Sequence, residues 1–446
     1  MTQSRGTKLP LSPIVNIRQP LSCLPIMQSW QEPPSRERVY HDPLHGAIVL
    51  NGRDPTEALL IQLIDTPVFQ RLRRIRQLGP ASLTFHGAEG SRFTHSLGVM
   101  VVARRAFDRV AKDAPQLQPY RPVVLCAALL HDIGHGPFSH TCEEIFGCNH
   151  EHWTDRILKE YEPIRSLLDG FDPDLLDQIQ QVYRKQHPVP LVWQLVSSQL
   201  DCDRIDYLMR DSYFTGASYG RLDLDRILLA LRYEPVTQQL VVAQKGMAAI
   251  EHYLLVRYFM YAQVYNHPKN LAATLVLEQA FRLAKVRWQE GKLFVDETMA
   301  AWLEADCNAL SIEQYLAADD SLCLYHLQRW QRSFDPVLSD LCRRFLDRDL
   351  PKAWDISHIT LEAQQTLLQI AQRELDDLGF VSEYYVGIRK TLSRGYTLYQ
   401  KGINLLTDAG LCEISELSPL IRTLTQPLQR SWLIYPREIQ PESLLS

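Results

Sequence analysis

The sequence predicts a mainly helical protein with a small α+β lobe at its C-terminal end. Three observations carry that prediction. Apolar residues recur at helical spacing through most of the stretch from Glu57 to about residue 290. Candidate strands are few, short and mostly confined to the C-terminal third. A wholly apolar segment, Val123 to Leu130, runs directly into His131-Asp132, which reads as a buried helix ending at the floor of a pocket.

Taken in order, residues 1–36 are rich in Pro, Ser and Gln and are expected to be a disordered leader, with Met27 as an alternative start. Tyr40 to Leu50 reads as a short hairpin or irregular strand. From Glu57 to about Phe146 the pattern is helical: Leu59, Leu60, Leu63 and Ile64 share one face, as do Phe69, Leu72 and Ile75. Further helices are expected at 151–160, 188–210, 223–231, 245–265 and 270–288. Leu231-Arg232-Tyr233 and Leu240-Val241-Val242 flank Pro235 and polar residues, the pattern of a β-hairpin. Residues 294–345 and 360–377 are again helical by pattern, while Val381 to Val386, Tyr396 to Tyr399 and Trp432 to Tyr435 read as short strands. This divides the chain into the leader, a core over 37–290 and a C-terminal lobe over 291–446.

Composition excludes several classes of function. With 446 residues, 46% hydrophobic and 22% charged, the chain is an ordinary globular protein. A net charge of −5 leaves no general basic footprint, so nucleic acid is disfavoured as a partner and a phosphate-rich ligand needs a local basic pocket. No apolar run approaches the roughly 20 residues of a membrane span, and the N-terminus lacks a signal-peptide pattern. Nine scattered cysteines with no Cys-x-x-Cys pair favour free thiols in a reducing cytoplasm over a disulfide framework.

The chemistry concentrates in Leu130-His131-Asp132-Ile133-Gly134-His135-Gly136-Pro137-Phe138-Ser139-His140. Imidazole plus carboxylate without thiolate suits a catalytic divalent metal better than a structural zinc. Gly134 and Gly136-Pro137 break the helix, so His135 and His140 lie on the turn and the next helix. A lone His at a helix end is usually structural, but three histidines and a carboxylate within ten residues read as a site. Arg92-Phe93-Thr94-His95 adds a histidine at the head of another apolar helix. Asp201-Cys202-Asp203-Arg204-Ile205-Asp206-Tyr207 adds carboxylates after a further apolar stretch. A ligand set of His95, His131, Asp132 and Asp203 follows, although Asp203 taken alone is equally a helix cap or a partner for Arg204.

These segments, with His41-Asp42-Pro43-Leu44-His45-Gly46, Asp65-Thr66-Pro67-Val68-Phe69-Gln70-Arg71-Leu72-Arg73 and Gln77-Leu78-Gly79, resemble in order and spacing the HD-domain metal phosphohydrolases. The likeness runs from about residue 38 to about 270. It is closest to the deoxynucleoside triphosphate triphosphohydrolase branch that includes the vertebrate SAM- and HD-domain enzyme. The leader is too short for a SAM domain. The resemblance implies an HD-domain helical core, one divalent ion (Mg, Mn, Fe or Zn), and hydrolysis of a deoxynucleoside triphosphate to deoxynucleoside and inorganic triphosphate. It implies a dimer or tetramer, and the apolar helices around 245–290 offer a packing face.

Residue by residue, the resemblance moves Asp203 toward the ligand role. It places His140, paired with Glu143, at the cleaved phosphate, with His150 beside them; the family often has Asp where this chain has Glu143. His135 is surplus to the metal and joins these candidates for proton transfer, while His150 alone could be an exposed loop residue beside His152. Arg92, otherwise a plain helix-start arginine, becomes a phosphate or base contact. Arg257, which could instead snorkel from its apolar helix, matches a triphosphate-binding arginine. Arg204 replaces a common lysine. Tyr207 and Tyr265 match tyrosines lining the sugar pocket, where a ring in the space of a 2′-hydroxyl would reject ribonucleotides. Gln77 and Leu78 match residues packed on the sugar, and Asp211 an acid near its 3′-hydroxyl. Asp65, Gln70 and Arg73 match a guanine-nucleotide activator site, though Asp65-Thr66-Pro67 is also a plain helix N-cap followed by proline. Two competing readings are an HD phosphohydrolase acting on a monophosphate, cyclic nucleotide or alarmone, and a nucleotide sensor without catalysis.

Overall fold

The first described pieces of chain frame the later site. The computed structural model describes residues 37–304, 306–398 and 402–440, so the expected leader lies outside the described residues. Strands β1 (Arg38–Asp42) and β2 (Gly46–Leu50) form an antiparallel hairpin. Its turn is held by Asp42, whose Oδ1 accepts from the backbone N–H of Leu44 and of His45, each at 2.9 Å.

The core is built around the 22-residue Arg92–Asp113 helix. Against it packs the Arg121–Leu130 helix, buried along all of Val123 to Leu130, as its unbroken apolar run requires. The Cys202–Thr215 helix packs on the same central helix, and Asp201 caps its start by accepting from the Arg204 N–H at 2.7 Å. The close approach of these two helices depends on Gly98: a Cβ there would overlap the Asp206 carboxylate and the Arg210 guanidinium.

The predicted 188–210 helix divides into Pro190–Gln194 and Cys202–Thr215. The Asp201 carboxylate accepts from Ser198 N at 2.7 Å and stops the chain from continuing as helix. Two helices that sequence reading left out, Glu162–Phe171 and Leu175–Tyr183, cover the outer side of the core. The 245–265 segment is α-helical over Met247–Met260 and then widens into a π-helical turn over Tyr261–Tyr265.

Strands β3 (Leu231–Glu234) and β4 (Gln239–Ala243) form the expected hairpin. β4 also pairs in parallel with β7 (Asn404–Thr407), which pairs with β8 (Gly410–Glu413). A second sheet has the order β5-β9-β6, from β5 (Lys352–Asp355), β9 (Leu428–Tyr435) and β6 (Gly387–Ser393). Val381 to Val386 is not a strand; a 3₁₀ turn occupies Ser382–Tyr384 and the strand begins at Gly387. Of the expected Tyr396 to Tyr399 strand, Tyr399 lies outside the described residues and 396–398 is not a strand: the buried Tyr396 hydroxyl accepts from Ile403 N at 2.6 Å.

One cysteine expectation is corrected. Cys148 and Cys307 form a disulfide, because the start of the His150–Glu160 helix and the Cys307–Ala309 turn bring their Cα atoms to 5.4 Å. The other described cysteines are free thiols, all buried except Cys412, which is half-buried. No helix among the described residues is long and apolar enough to cross a membrane.

Substituting Gly98→Ala should separate the two central helices. We expect a lower melting temperature and loss of bound metal, read by calorimetry and elemental analysis; an unchanged metal content would refute this account of Gly98.

Candidate active site

The two central helices and the end of the Arg121–Leu130 helix bring His95, His131, Asp132 and Asp203 together. His95 Nε2 lies 3.1 Å from Asp203 Oδ1 and 3.6 Å from Asp132 Oδ2. His131 Nε2 lies 3.2 Å from Asp132 Oδ1 and 3.6 Å from Asp203 Oδ1. Such a set could hold a divalent ion, and the second ring nitrogens fit that use. His131 Nδ1 lies 2.9 Å from the Ala128 carbonyl, which accepts its proton, leaving the buried Nε2 without a hydrogen-bond partner. His95 Nδ1 lies 2.8 Å from Asp206 Oδ2. Burial opposes charge on His95, yet its bonds to Asp203 and Asp206 carry its pKa up to about 10. His95 Nε2 points at the same carboxylates that would share a cation with it.

Asp206, to which sequence reasoning gave no role, supports the candidate ligand set from behind His95. It is fully buried and receives His45 Nε2 at 2.6 Å and the Arg210 guanidinium at 2.7 and 3.1 Å. Arg210 in turn bonds Asp42 at 2.8 Å, linking the β1–β2 hairpin to the ligand set. The available signal was spacing: Asp203, Asp206 and Arg210 lie at helical intervals on one face.

Beside the ligand set stands a cluster of imidazoles. His135 and His150 are stacked at 4.0 Å and nearly parallel, and His140 meets both edge-on at 5.0 and 5.2 Å. Glu143 bonds closely to His150 Nδ1, while His140 Nδ1 is 3.6 Å away, beyond a hydrogen bond. Glu143 thus serves both rings, ion-paired with His140 and hydrogen-bonded to His150, because the chain after Gly147 folds His150 back over Glu143. Burial opposes ionisation of Glu143, but both histidines hold its carboxyl below the usual range. Burial, Arg92 and His150 keep the His135 ring neutral. Gly134 makes this stack possible, since a Cβ there would overlap the backbone of His150 and Thr154.

A cavity of ≈ 320 Å³ opens over both groups. Gln77, Leu78, Arg92, Arg204, Tyr207, Asp211 and Tyr265 all line it, together with Asp132, His135, His140, His150 and Asp203. Tyr261, which sequence reading did not single out, lines it as well; four residues before Tyr265, it shares that residue's side of the helix. Burial pushes the Asp211 carboxyl up to about 7, against the Tyr265 hydroxyl that donates to it at 2.8 Å.

The arginines are less free than the sequence implied. Arg92 gives Nη1 to Asp132 at 2.6 Å and Nε to Ser139 at 2.8 Å. Arg204 pairs with Asp201 and donates to the Ser198 carbonyl at 2.6 Å. Arg257 is not part of the cavity wall; it donates to Gln199 at 2.9 Å and sits 5.9 Å from the Tyr261 ring centre.

The three activator candidates lie apart from this cavity. Gln70 accepts from Arg73 at 2.8 Å, Arg73 stacks over Phe93 at 3.5 Å, and Asp65 pairs with Arg38 at 3.0 Å. Asp65 closes the Pro55–Ile64 helix rather than capping the next, whose N-cap is Thr66.

Residues 92–208 match the HD domain, and residues 222–435 match the HD associated region. An uncharacterized protein of Bacillus subtilis, YwfO, is 37% identical over 423 residues, spanning 91% of this chain and 93% of that protein. This chain belongs to the HD-domain phosphohydrolase family. A phosphohydrolase crystal structure from Bacteroides thetaiotaomicron superposes on this HD-domain protein with a TM-score of 0.80 at 28% identity, covering 90% of this chain and all (100%) of that one. Deoxynucleoside triphosphate triphosphohydrolase SAMHD1 of Danio rerio is 28% identical over 349 residues, 68% of this chain; the chain spans about half (54%) of that relative's length.

Two predictions concern the ion. Metal entry must expel the His95 proton, so apparent affinity should rise with pH up to about 10, by about tenfold per unit. A chelator-competition series from pH 6.5 to 8.5 reads this, and a flat profile contradicts it. Asp206→Asn should weaken metal binding about 10–100-fold through the His95 ring it orients; unchanged affinity in the same assay would remove Asp206 from the site.

Proposed function

We propose that this HD-domain phosphohydrolase converts deoxynucleoside triphosphates to deoxynucleoside and inorganic triphosphate. One observation carries the reading: Asp132 and Asp203 of the His/Asp set, the imidazoles of His135, His140 and His150, and the Gln77, Leu78, Tyr207, Asp211 and Tyr265 wall line a single cavity. The SAMHD1 relatives, with that activity in their names, support it.

His95, His131, Asp132 and Asp203 would hold the ion, which supplies Lewis acidity at a phosphoryl oxygen. Arg92 keeps Asp132 ionised and fixed. Water attacks the α-phosphorus, the bond to the 5′ oxygen breaks, and that oxygen must gain a proton. His140, exposed at the cavity rim with 66% of its side chain accessible, supplies it. Glu143 fixes the His150 ring, and the neutral His135 packs beneath it. Tyr207 and Tyr265, edge to face at 5.9 Å, form the sugar wall that excludes a 2′-hydroxyl.

A second reading, hydrolysis of a nucleotide with a shorter phosphate chain, has one observation in its favour. Arg92, Arg204 and Arg257 are each engaged within the protein, so no open cationic cradle for three phosphates stands ready. We further propose a homo-oligomer, dimer or tetramer, and a nucleotide effector at Asp65, Gln70 and Arg73.

Incubating the metal-loaded protein with each dNTP and NTP, with and without a second nucleotide, and separating products by chromatography tests the reading. Inorganic triphosphate is the expected product; orthophosphate or pyrophosphate would favour the second reading. His140→Ala should lower turnover about 10²–10⁴-fold with metal content retained, whereas Asp132→Ala should lose both. Wild-type turnover per folded molecule in His140→Ala would exclude its proton-transfer role. Light scattering reads the oligomer, and a stable active monomer would contradict it.

A further inference from the structure

We infer that Asp320 is a positioning residue for the active site, acting from the C-terminal segment on the backbone that delivers Gln77 and His140. The inference rests on the phosphohydrolase reading above. Asp320 is 4% exposed and begins the Asp320–Trp330 helix. Its two oxygens divide between distant pieces of chain: Oδ1 accepts from the Phe138 N–H at 2.7 Å and Oδ2 from the Arg76 N–H at 3.0 Å.

Both pieces are parts of the site. Arg76 immediately precedes Gln77, whose N–H is held by the Gly90 carbonyl at 2.8 Å. Phe138 and Ser139 form the turn between the His131–His135 segment and His140. They have φ of 59° and 57°, a left-handed conformation that non-glycine residues rarely adopt. Such backbone persists only where surrounding contacts over-determine it. Asp320 supplies one such contact at Phe138. Ser139 supplies another: its hydroxyl donates to the Arg76 carbonyl at 2.6 Å and accepts from Arg92 Nε. Arg92 continues to Asp132. A carboxylate from outside the HD domain proper therefore pins the same two backbone segments that Ser139 bridges from within.

The chemistry is specific to a carboxylate. Two N–H donors arriving from different directions need two acceptor atoms and no donor. Asparagine would set its own NH₂ against one of them. Asp320 is not part of the cavity wall, so it acts through the position of His140 and Gln77. Its neighbour Asp319 provides a control. Asp319 caps the same helix, accepting from Ser321 and Leu322 N–H at 2.9 and 3.3 Å, and pairs with Arg74 instead of the turn.

The test compares D320N, D320A and D319N in the full, metal-loaded chain. It measures metal content, melting temperature, kcat and KM, and amide exchange over residues 136–142. Misplacing a catalytic group by about 1 Å costs about 10²-fold. D320A should therefore lose about 100-fold, and D320N about 10-fold, mainly in kcat, with metal retained and exchange at 136–142 accelerated. D319N should lower the melting temperature and leave kcat unchanged. Unchanged kcat per folded molecule in both Asp320 variants overturns the inference, as does an equal loss in D319N, which would indicate general loosening. If D320A does not fold, D320N decides alone. If the wild-type chain hydrolyses no nucleotide, the functional reading fails separately, and unchanged amide exchange in the folded Asp320 variant would then overturn the positioning role.

Discussion

A buried carboxylate, Asp206, ties together the separate pieces of chain that make this site. It lies on the Cys202–Thr215 helix, orients the His95 ring of the central helix, receives His45 from the β1–β2 hairpin, and is neutralised by Arg210, which also reaches Asp42. Unpaired, a charge at this depth would cost several kcal/mol, and breaking a buried pair typically costs about 3–5 kcal/mol. Hairpin, central helix and ligand helix are thus constrained to one arrangement. Gly98 permits it by leaving room for the carboxylate. The ligand set is preorganised because its outer partners have no alternative.

The imidazole cluster is built on a different principle. His135, His140 and His150 come from one stretch of chain that reverses direction at Gly134, at the Phe138-Ser139 turn and again at Gly147. Contacts from elsewhere hold the first part of this path: Tyr315 donates to the Gly134 carbonyl at 2.7 Å, Arg71 to the His135 carbonyl at 2.8 Å, and Asp320 accepts from Phe138. Tyr315 and Asp320 both lie beyond residue 290. The C-terminal part of the chain therefore supports the active-site turn as well as its own core.

Much of the site was legible in the sequence because its chemistry is local. His131-Asp132 at the end of an apolar run, and His95 and Asp203 at the heads of others, announce themselves by residue type and flank. The helices followed from apolar spacing, except where short amphipathic ones such as Glu162–Phe171 were passed over. The Cys148–Cys307 link, 159 residues apart, left no local trace. Tyr261 and Tyr265, four residues apart, share a helix face, and only the packing of that face shows that it lines the cavity rather than the core.

By itself the sequence determined the kinds of group available and the helices that carry them, since periodicity and residue chemistry are written along the chain. Only the tertiary structure decided which group each one meets. Glu143 could have served His140 alone, one turn away, yet it also bonds His150. Arg92, Arg204 and Arg257 could have been left free for a ligand, yet they bond Asp132, Asp201 and Gln199. The physical reason is the same in each case. A buried charge or donor takes whatever partner packing brings within hydrogen-bond reach, and that partner is set by the approach of distant segments rather than by neighbours in sequence.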